Sequence, residues 1–373
     1  MEYIDLKAQY RKLQSKIDAN IEQVLKKADF ISGGMVTEFE KKLANFIGVK
    51  HVIACSDGTA ALQLIYMAHQ IGPGDAVFCP DMTFIASVEP AALLGATPVF
   101  CEIDDRTYNI KIDSLERQIK AVLEEGKLYP RAVIAVDFLG NPADFDELRR
   151  ITKQYNVLLI EDAAQGTGAS YHGVKCGANG DIAATSFFPS KPLGCYGDGG
   201  AVMTNDDEIA QIIRSLHVHG SGSNKYDNVR VGMNSRLDTI QAAVLLPKLE
   251  ELPTEITKRQ AIAKRYVEAL SGHVRIPYVE SGCISSFAQY VVCAADENQR
   301  THIREELTKQ EIPTILYYPT PMHRLPVFNG SNQYGEKFEN TDLYSRCAFG
   351  IPFSPYLEEE DQQSVINAIL SSI

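Results

Sequence analysis

The stretch FDELRRITKQYNVLLIEDAAQ, residues 145–165, decides the fold. Phe145 to Tyr155 has the apolar spacing of an amphipathic helix, and Val157 to Ile160 is a short apolar strand that delivers Glu161 and Asp162. Short apolar strands that alternate with amphipathic helices are typical of an open, mostly parallel sheet covered on both faces. In such sheets ligands bind at the carboxyl ends of the strands, so we expect Asp162 near a binding site.

The same alternation continues on both sides of this stretch. Helices are predicted over residues 1 to about 30, 36 to 47, Ala60 to Gln70, Phe84 to Leu94 and Leu237 to Leu270, the last with possible breaks at Pro247 and Pro253. Further strands are predicted at His51–Cys55, Ala76–Cys79, Pro98–Ile103, Ala132–Asp137, Ile182–Phe188 and Ala201–Thr204. The pattern predicts the α/β class.

The short alternating strands and helices give way to a long helix and then to less regular strands, and we expect a domain boundary near residue 250, inside or after that helix. Residues 1–250 then form a large domain, and residues 251–373 form a smaller C-terminal α/β domain. In the smaller domain Ala288–Ala294 and Thr314–Tyr318 read as extended, with a charged helix over Arg300–Gln310 between them.

Composition limits the classes of partner. The chain has 373 residues, 45% hydrophobic and 23% charged, with a net charge of −12. An acidic chain repels nucleic acid and anionic membranes, and a phosphate-bearing ligand would need a local cluster of positive groups. No apolar run reaches ~18 residues, and the N-terminus lacks the apolar stretch of a signal peptide, so we expect a cytoplasmic protein. The eight cysteines show no metal-ligand spacing and are expected to be buried thiols, so no metal is predicted.

Asp162 is the first candidate for chemistry. Its carboxylate could be held at the mouth of the sheet, where a bound ring would lie, or it could cap a following helix. Gln165, three positions later, could contact the same ligand or complete a capping box.

Lys191 is the second candidate, in the segment TSFFPSKPLGCYGDGG, residues 185–200. It follows a strand and has apolar and small neighbours. A lysine desolvated in such a setting has a lowered pKa, which an amine needs to attack a carbonyl. The alternative is an ordinary surface lysine. Ser186 could donate to a phosphate or could be a plain strand serine.

The third feature is the turn CSDGTAAL, residues 55–62, between a strand and a helix. The backbone N–H groups of Gly58 and Thr59 would face an anion at the helix N-terminus. Asp57 would repel a phosphate there, so we expect it to cap the helix and point away. Phe84 could be an aromatic face for a planar ligand or a core residue.

Together these residues match one cofactor. Pyridoxal 5'-phosphate (PLP) needs a lysine for its aldehyde, a carboxylate for its pyridine nitrogen, an anion cradle and an aromatic face. Lys191, which stands 29 positions after Asp162, would form the Schiff base.

Several segments resemble the DegT/StrS-type nucleotide-sugar aminotransferases, a branch of the fold-type-I PLP enzymes. The resemblance covers nearly the whole chain. It is carried by FISGG, SDGTAAL, GPGDAVFCP, LLIEDAAQ, SFFPSKPLGCYGDGG, HVHGSGSNKY, VGMNSRLDTIQAAVL and YYPTPMH.

The resemblance implies the following roles. Lys191 is the Schiff-base lysine and proton shuttle, Asp162 pairs with the ring nitrogen, Gln165 lies near the ring and Phe84 stacks on it. Gly58, Thr59 and Ser186 hold the phosphate. Asn234 reaches the phosphate of the neighbouring subunit, which implies a homodimer with shared active sites. Arg236 and His323 lie near the substrate.

The implied reaction moves an amino group from L-glutamate to a nucleotide-linked keto sugar. The segments SFFPSKPLGCYGDGG and NSRLD most resemble those of enzymes that aminate C3 of a UDP-2-acetamido-3-keto-glucuronate in polysaccharide assembly. The alternatives are a dTDP-3-keto-6-deoxyhexose and, third, amination at C4. A PLP desulfurase or aldolase would be a different class, and only Cys176 and Cys195 could supply its loop thiolate. A ligand-sensing regulator is disfavoured because no helix-turn-helix segment or basic patch occurs.

Overall fold

The structure, a computed structural model, describes residues 1–224, 226–329 and 334–373. The α-helices of these residues are α1 (Leu6–Lys27), α2 (Gly34–Ile47), α3 (Gly58–Ala68), α4 (Glu89–Leu93), α5 (Ile112–Glu125), α6 (Phe145–Tyr155), α7 (Asp207–Leu216), α8 (Thr239–Leu270), α9 (Glu297–Lys309), α10 (Glu339–Cys347) and α11 (Glu359–Ser371). The strands are β1 (His51–Cys55), β2 (Asp75–Pro80), β3 (Thr97–Cys101), β4 (Tyr129–Val136), β5 (Leu158–Asp162), β6 (Ser170–Tyr171), β7 (Val174–Lys175), β8 (Ile182–Ser186), β9 (Gly200–Thr204), β10 (Tyr290–Cys293) and β11 (Ala348–Ile351).

The central sheet has seven strands in the order β1-β9-β8-β5-β4-β2-β3. From β3 to β8 all neighbours are parallel, while β9 runs antiparallel to both β8 and β1. The predicted mostly parallel sheet is confirmed. The carboxyl ends of β5 and β8 therefore meet at one edge, and this brings the segments after them together.

Side chains alternate along each strand, so apolar side chains point to both faces of the sheet. Helices cover both of these faces. Ile53 and Cys55 of β1 lie in one apolar core with α3, whereas Val52 and Ala54 lie in another core with α2 and α8. On β5 the same alternation sends Glu161 and Asp162 to opposite faces. Asp162 lies on the face covered by α3.

A separate apolar core lies in the C-terminal third of the chain. It joins the end of α8 to the β10–β11 pair, α9 and α11. Leu252 and Ile256 of α8 belong to the core of the large sheet, while Ile262 and Tyr266 belong to the C-terminal core. The predicted boundary at residue 250 falls inside this helix, and the two-domain division stays a prediction.

The prolines of α8 do not interrupt it. Pro247 and Pro253 both lie inside one helix of 32 residues, of which 17 are buried. An internal proline costs about 3 kcal/mol, while fully burying one large apolar side chain contributes about 1.5–3 kcal/mol. Burial along the helix therefore outweighs the two lost hydrogen bonds.

The helix predicted over Phe84–Leu94 is wrong in its first half. Phe84 is extended (φ −74°, ψ 142°), a 3-10 turn covers Ile85–Ser87, and α4 begins only at Glu89. Pro90 lies in the first turn of α4, where proline is accommodated because an N–H there would have no partner within the helix. Among the described residues, no helix combines the length and apolar character needed to cross a bilayer.

Candidate active site

A cavity of about 540 Å³ lies at the carboxyl ends of β5 and β8 and the N-terminus of α3. Its wall contains seven of the ten residues that the sequence singled out. These are Gly58, Thr59, Phe84, Asp162, Gln165, Ser186 and Lys191. The fold therefore brings together residues that are up to 133 positions apart in the chain.

Lys191 lies on the loop after β8, partly buried in the cavity wall. Its Nζ makes no hydrogen bond or ion pair with any described residue. Desolvation by burial lowers the pKa of Lys191, and the charge of Asp162 opposes this only in part. The surface-lysine alternative is therefore wrong, and the amine is poised toward its neutral, nucleophilic form.

Asp162 ends β5 and is buried. Its Oδ2 accepts from Ser87 Oγ at 2.7 Å, and its Oδ1 accepts from the N–H of Ala164 at 3.1 Å. Burial raises the pKa of Asp162, whereas these two hydrogen bonds and the charge of Lys191 lower it. The next element after Asp162 is the strand β6 and not a helix, so the helix-cap interpretation and the capping box with Gln165 are both wrong.

The turn before α3 approaches β8 closely. A Cβ on Gly58 would lie 2.7 Å from the Cβ of Ser186, so only glycine permits this approach. The first N–H groups of a helix have no partner within it, which leaves those of Gly58 and Thr59 for an anion. Asp57 is the N-cap, as predicted, because its Oδ1 accepts from the N–H of Ala60 at 2.7 Å. The donors and the spacing fit a phosphate group.

Phe84 is not a core residue, because 55% of its surface is exposed. Its ring lies in the cavity wall with its centroid 5.8 Å from that of Tyr318. Gln165 accepts from the N–H of Leu139 at 2.6 Å through Oε1, and its Nε2 lies 3.5 Å from the hydroxyl of Tyr318. An aromatic ring and an amide thus stand beside the lysine and the carboxylate, and the set fits PLP.

Three sequence candidates do not line the cavity. Asn234 is exposed and pairs with Val218 in a backbone bridge, and Arg236 is partly buried. The ring of His323 bonds Asp81 Oδ2 through Nδ1 at 2.6 Å. The roles of Asn234, Arg236 and His323 stay predictions.

The sequence interpretation missed several residues of the cavity. Ser87 bonds Asp162 directly, and Gln289, Tyr317 and Tyr318 reach the cavity from the C-terminal third. The segment YYPTPMH carried part of the signal, since its first two residues are these tyrosines. Nothing in the sequence around Gln289 or Ser87 distinguished them.

The thiol chemistry of a desulfurase is not supported by the two loop cysteines. Cys176 and Cys195 are both buried. Burial raises the pKa of Cys195 to about 11 and that of Cys176 well above its ordinary value. Neither thiol is therefore an exposed thiolate at neutral pH.

One buried group among the described residues has the composition of a metal site. The side chains of Asp137, Glu161 and Cys176 offer ligand atoms within 4.8 Å of one another. Glu161, however, already accepts backbone N–H groups from Gly177, Asn179 and Gly180. Its carboxylate thus organises the turn after β7.

Comparison with known proteins gives consistent matches over the whole chain. The profile of the DegT/DnrJ/EryC1/StrS aminotransferase family matches residues 11–370. The chain is 43% identical to a UDP-2-acetamido-2-deoxy-3-oxo-D-glucuronate aminotransferase of Pseudomonas aeruginosa, with 96% of each chain covered. It is 35% identical to a dTDP-3-amino-3,4,6-trideoxy-alpha-D-glucose transaminase of Streptomyces venezuelae, with 98% of this chain and 94% of that protein covered.

A solved structure shows the same architecture. The chain superposes on a DegT/DnrJ/EryC1/StrS aminotransferase from Brucella abortus with a TM-score of 0.97 and 43% identity, covering 100% of this chain and 99% of that one. The fold class predicted from the sequence is thereby confirmed at the level of the whole chain.

Proposed function

The chain belongs to the DegT/DnrJ/EryC1/StrS aminotransferase family, and we propose that it moves an amino group from L-glutamate to C3 of a UDP-linked 3-keto sugar of the N-acetylglucosaminuronate type. It is a PLP-dependent sugar-nucleotide aminotransferase, as the sequence predicted. The observation that carries the proposal is an unpartnered Lys191 beside a buried Asp162 in one cavity.

We assign the cofactor contacts as follows. Lys191 would take the aldehyde and Asp162 the ring nitrogen, while Gly58, Thr59 and Ser186 would hold the phosphate. Phe84 would cover the ring and Gln165 would lie beside it. When bound, PLP supplies an electron sink that stabilises the carbanion formed next to the amine.

Lys191 does the proton transfer in this proposal. Its Nζ would take the α-proton of the amino donor and pass it to the cofactor, and in the second half of the reaction it would take that proton back and deliver it to the carbon that receives the amine. A positioned group of this kind contributes about 10²–10⁴-fold. Burial lowers the pKa of Lys191, which favours the neutral amine that can accept a proton.

The choice of sugar follows the more similar relative. The UDP-3-keto-glucuronate enzyme is 43% identical, and the dTDP-sugar transaminase, which represents the alternative substrate class, is 35% identical. Arg236 and His323 are proposed to contact the substrate. The pathway we propose is surface-polysaccharide biosynthesis in the cytoplasm, in keeping with eight free cysteines.

A homodimer with shared active sites is also part of the proposal. Asn234 is exposed and lies outside the cavity of its own chain, so it is free to reach a partner's phosphate. Size-exclusion chromatography with light scattering tests the assembly: a monomer that is fully active would contradict it.

The decisive experiment supplies PLP-loaded enzyme with L-glutamate and a panel of UDP- and dTDP-linked 3-keto and 4-keto sugars. Mass spectrometry should show the amine on the UDP-3-keto-glucuronate sugar. Glutamate alone should bleach the yellow enzyme. A yellow enzyme that glutamate does not bleach would overturn transamination from glutamate, and amination of only a dTDP or 4-keto sugar would correct the substrate.

A further inference from the structure

The cavity has a second wall that the cofactor contacts do not use. The cavity residues assigned to PLP all come from positions 58–191, whereas Gln289, Tyr317 and Tyr318 come from the C-terminal third. Tyr317 and Tyr318 are partly buried, whereas Gln289 is only 4% exposed and its amide oxygen accepts no hydrogen bond from any described residue. A buried acceptor without a donor costs about 1–3 kcal/mol.

The backbone that carries Gln289 is fixed to the site. Ser286 Oγ donates to the carbonyl of Gln165 at 2.6 Å, and Ser285 Oγ donates to the carbonyl of Gly140 at 2.9 Å. Arg259 donates to the carbonyl of Phe287 at 2.8 Å. Gln289 lies two residues after Phe287 and directly before β10, so its backbone is positioned before any ligand arrives.

The chemistry of the amide defines what it can recognise. A glutamine carbonyl accepts from an O–H or N–H group and its NH₂ donates, which complements sugar hydroxyl and acetamido groups. A neutral amide is a weak partner for the carboxylates of an amino donor, which favour Arg or Lys. The match is therefore with the sugar rather than with glutamate.

We propose that Gln289 is a specificity-determining residue that binds a hydroxyl or acetamido N–H of the keto sugar and does not act on the amino donor. The inference rests on the proposed function. It predicts that the two half-reactions, which share every cofactor contact, respond differently to the loss of one side chain.

The test compares Gln289→Leu with the wild type in separate half-reactions. Stopped-flow absorbance of the PLP-loaded enzyme follows the glutamate half-reaction, and the aminated enzyme is then mixed with the keto sugar that the wild type accepts. We expect kcat/KM for the sugar to fall about 10-fold or more and the glutamate half-reaction to stay within about 2-fold. Equal losses in both half-reactions, or no loss in either, would overturn the inference.

Gln362→Leu is the matched control. Gln362 is a buried glutamine remote from the cavity, and its Nε2 donates to the carbonyl of Ile262 at 2.8 Å. Its replacement should lower the thermal midpoint without changing the ratio of the two half-reactions. If Gln289→Leu does not fold, Gln289→Met keeps the length of the side chain and serves in its place.

A binding measurement separates this inference from the proposed function. Titration calorimetry with the unreactive UDP-N-acetylglucosamine should show weaker binding to Gln289→Leu by about 10-fold. A wild type that aminates no sugar but binds this nucleotide, with weaker binding in the variant, would defeat the proposed function and keep the sugar contact. Unchanged binding would defeat the contact.

Discussion

Two lysines whose pKa is lowered by burial lie in neighbouring parts of the molecule and differ in their hydrogen-bond partners. Lys191 lines the cavity, and its Nζ has no hydrogen-bond partner among the described residues. Lys248 of α8 is 2% exposed, donates to the carbonyl of Gly194 at 2.7 Å and lies 4.2 Å above the ring of Tyr196. Burial lowers the pKa of both, to about 8 for Lys248.

The comparison shows that burial alone does not identify a reactive amine. Lys248 donates a hydrogen bond to the loop that carries Lys191, because Gly194 belongs to that loop. Lys191 faces open space and a carboxylate, so its amine is available to a ligand. The partner of a buried lysine, more than its pKa, separates a structural role from a chemical one.

The largest expected effect comes from Lys191→Ala. Turnover should fall by at least ~10²-fold because the shuttle at Nζ is lost, while the thermal midpoint stays unchanged or rises since a desolvated amine is removed. Steady-state rates and differential scanning calorimetry measure the two. The control is Lys41→Ala, an exposed lysine on α2. Near wild-type turnover in a PLP-loaded Lys191→Ala variant would show that Lys191, like Lys248, has no chemical role.

Asp162→Asn should reduce turnover by about 10²-fold, because a neutral amide cannot stabilise a positive charge opposite it. The amide oxygen can still accept from Ser87, so folding should be preserved. Steady-state kinetics and the absorbance of bound PLP report the change. Asp105→Asn, an exposed position outside the cavity, provides the comparison. Full activity in Asp162→Asn would show that the negative charge near Lys191 is not needed for the reaction.

The lowered pKa of Lys248 predicts a pH-dependent difference in stability. In the folded protein the pKa is about 8, below the ordinary value of 10.5, so the unfolded chain binds more protons between these values. The unfolding free energy of the wild type, relative to Lys248→Met, should therefore rise by about 2 kcal/mol from pH 8 to pH 10. Urea titrations at both pH values measure it. A difference that is flat with pH would mean that Lys248 is not desolvated.

Lys248→Met should have the smallest effect on activity, less than about 10-fold. The variant keeps the apolar stem but loses the donor to Gly194 and the charge above the ring of Tyr196, so the Lys191 loop loosens without losing its chemistry. Steady-state kinetics of the PLP-loaded variant measure the loss. A loss as large as that of Lys191→Ala at unchanged stability would show that both amines act in the reaction.

Site residues could be predicted from the sequence where one short segment contained both a strand and the reactive side chain. Asp162 ends one strand and Lys191 lies on the loop after another, so their place at the same edge of the sheet could be predicted from the alternation of elements. Gln289 and Tyr318 could not, because they reach the cavity only when the C-terminal third folds back over that edge. Such long-range packing leaves no local pattern.

The long helix α8 has a mechanical consequence. One continuous helix passes from Leu252 and Ile256 in the core of the sheet to Ile262 and Tyr266 in the C-terminal core. Both cores are therefore packed on the same helix, and a rotation of one core relative to the other would require α8 to bend. We therefore expect the pocket to adapt to sugars of different size mainly through the rotamers of the side chains that line it.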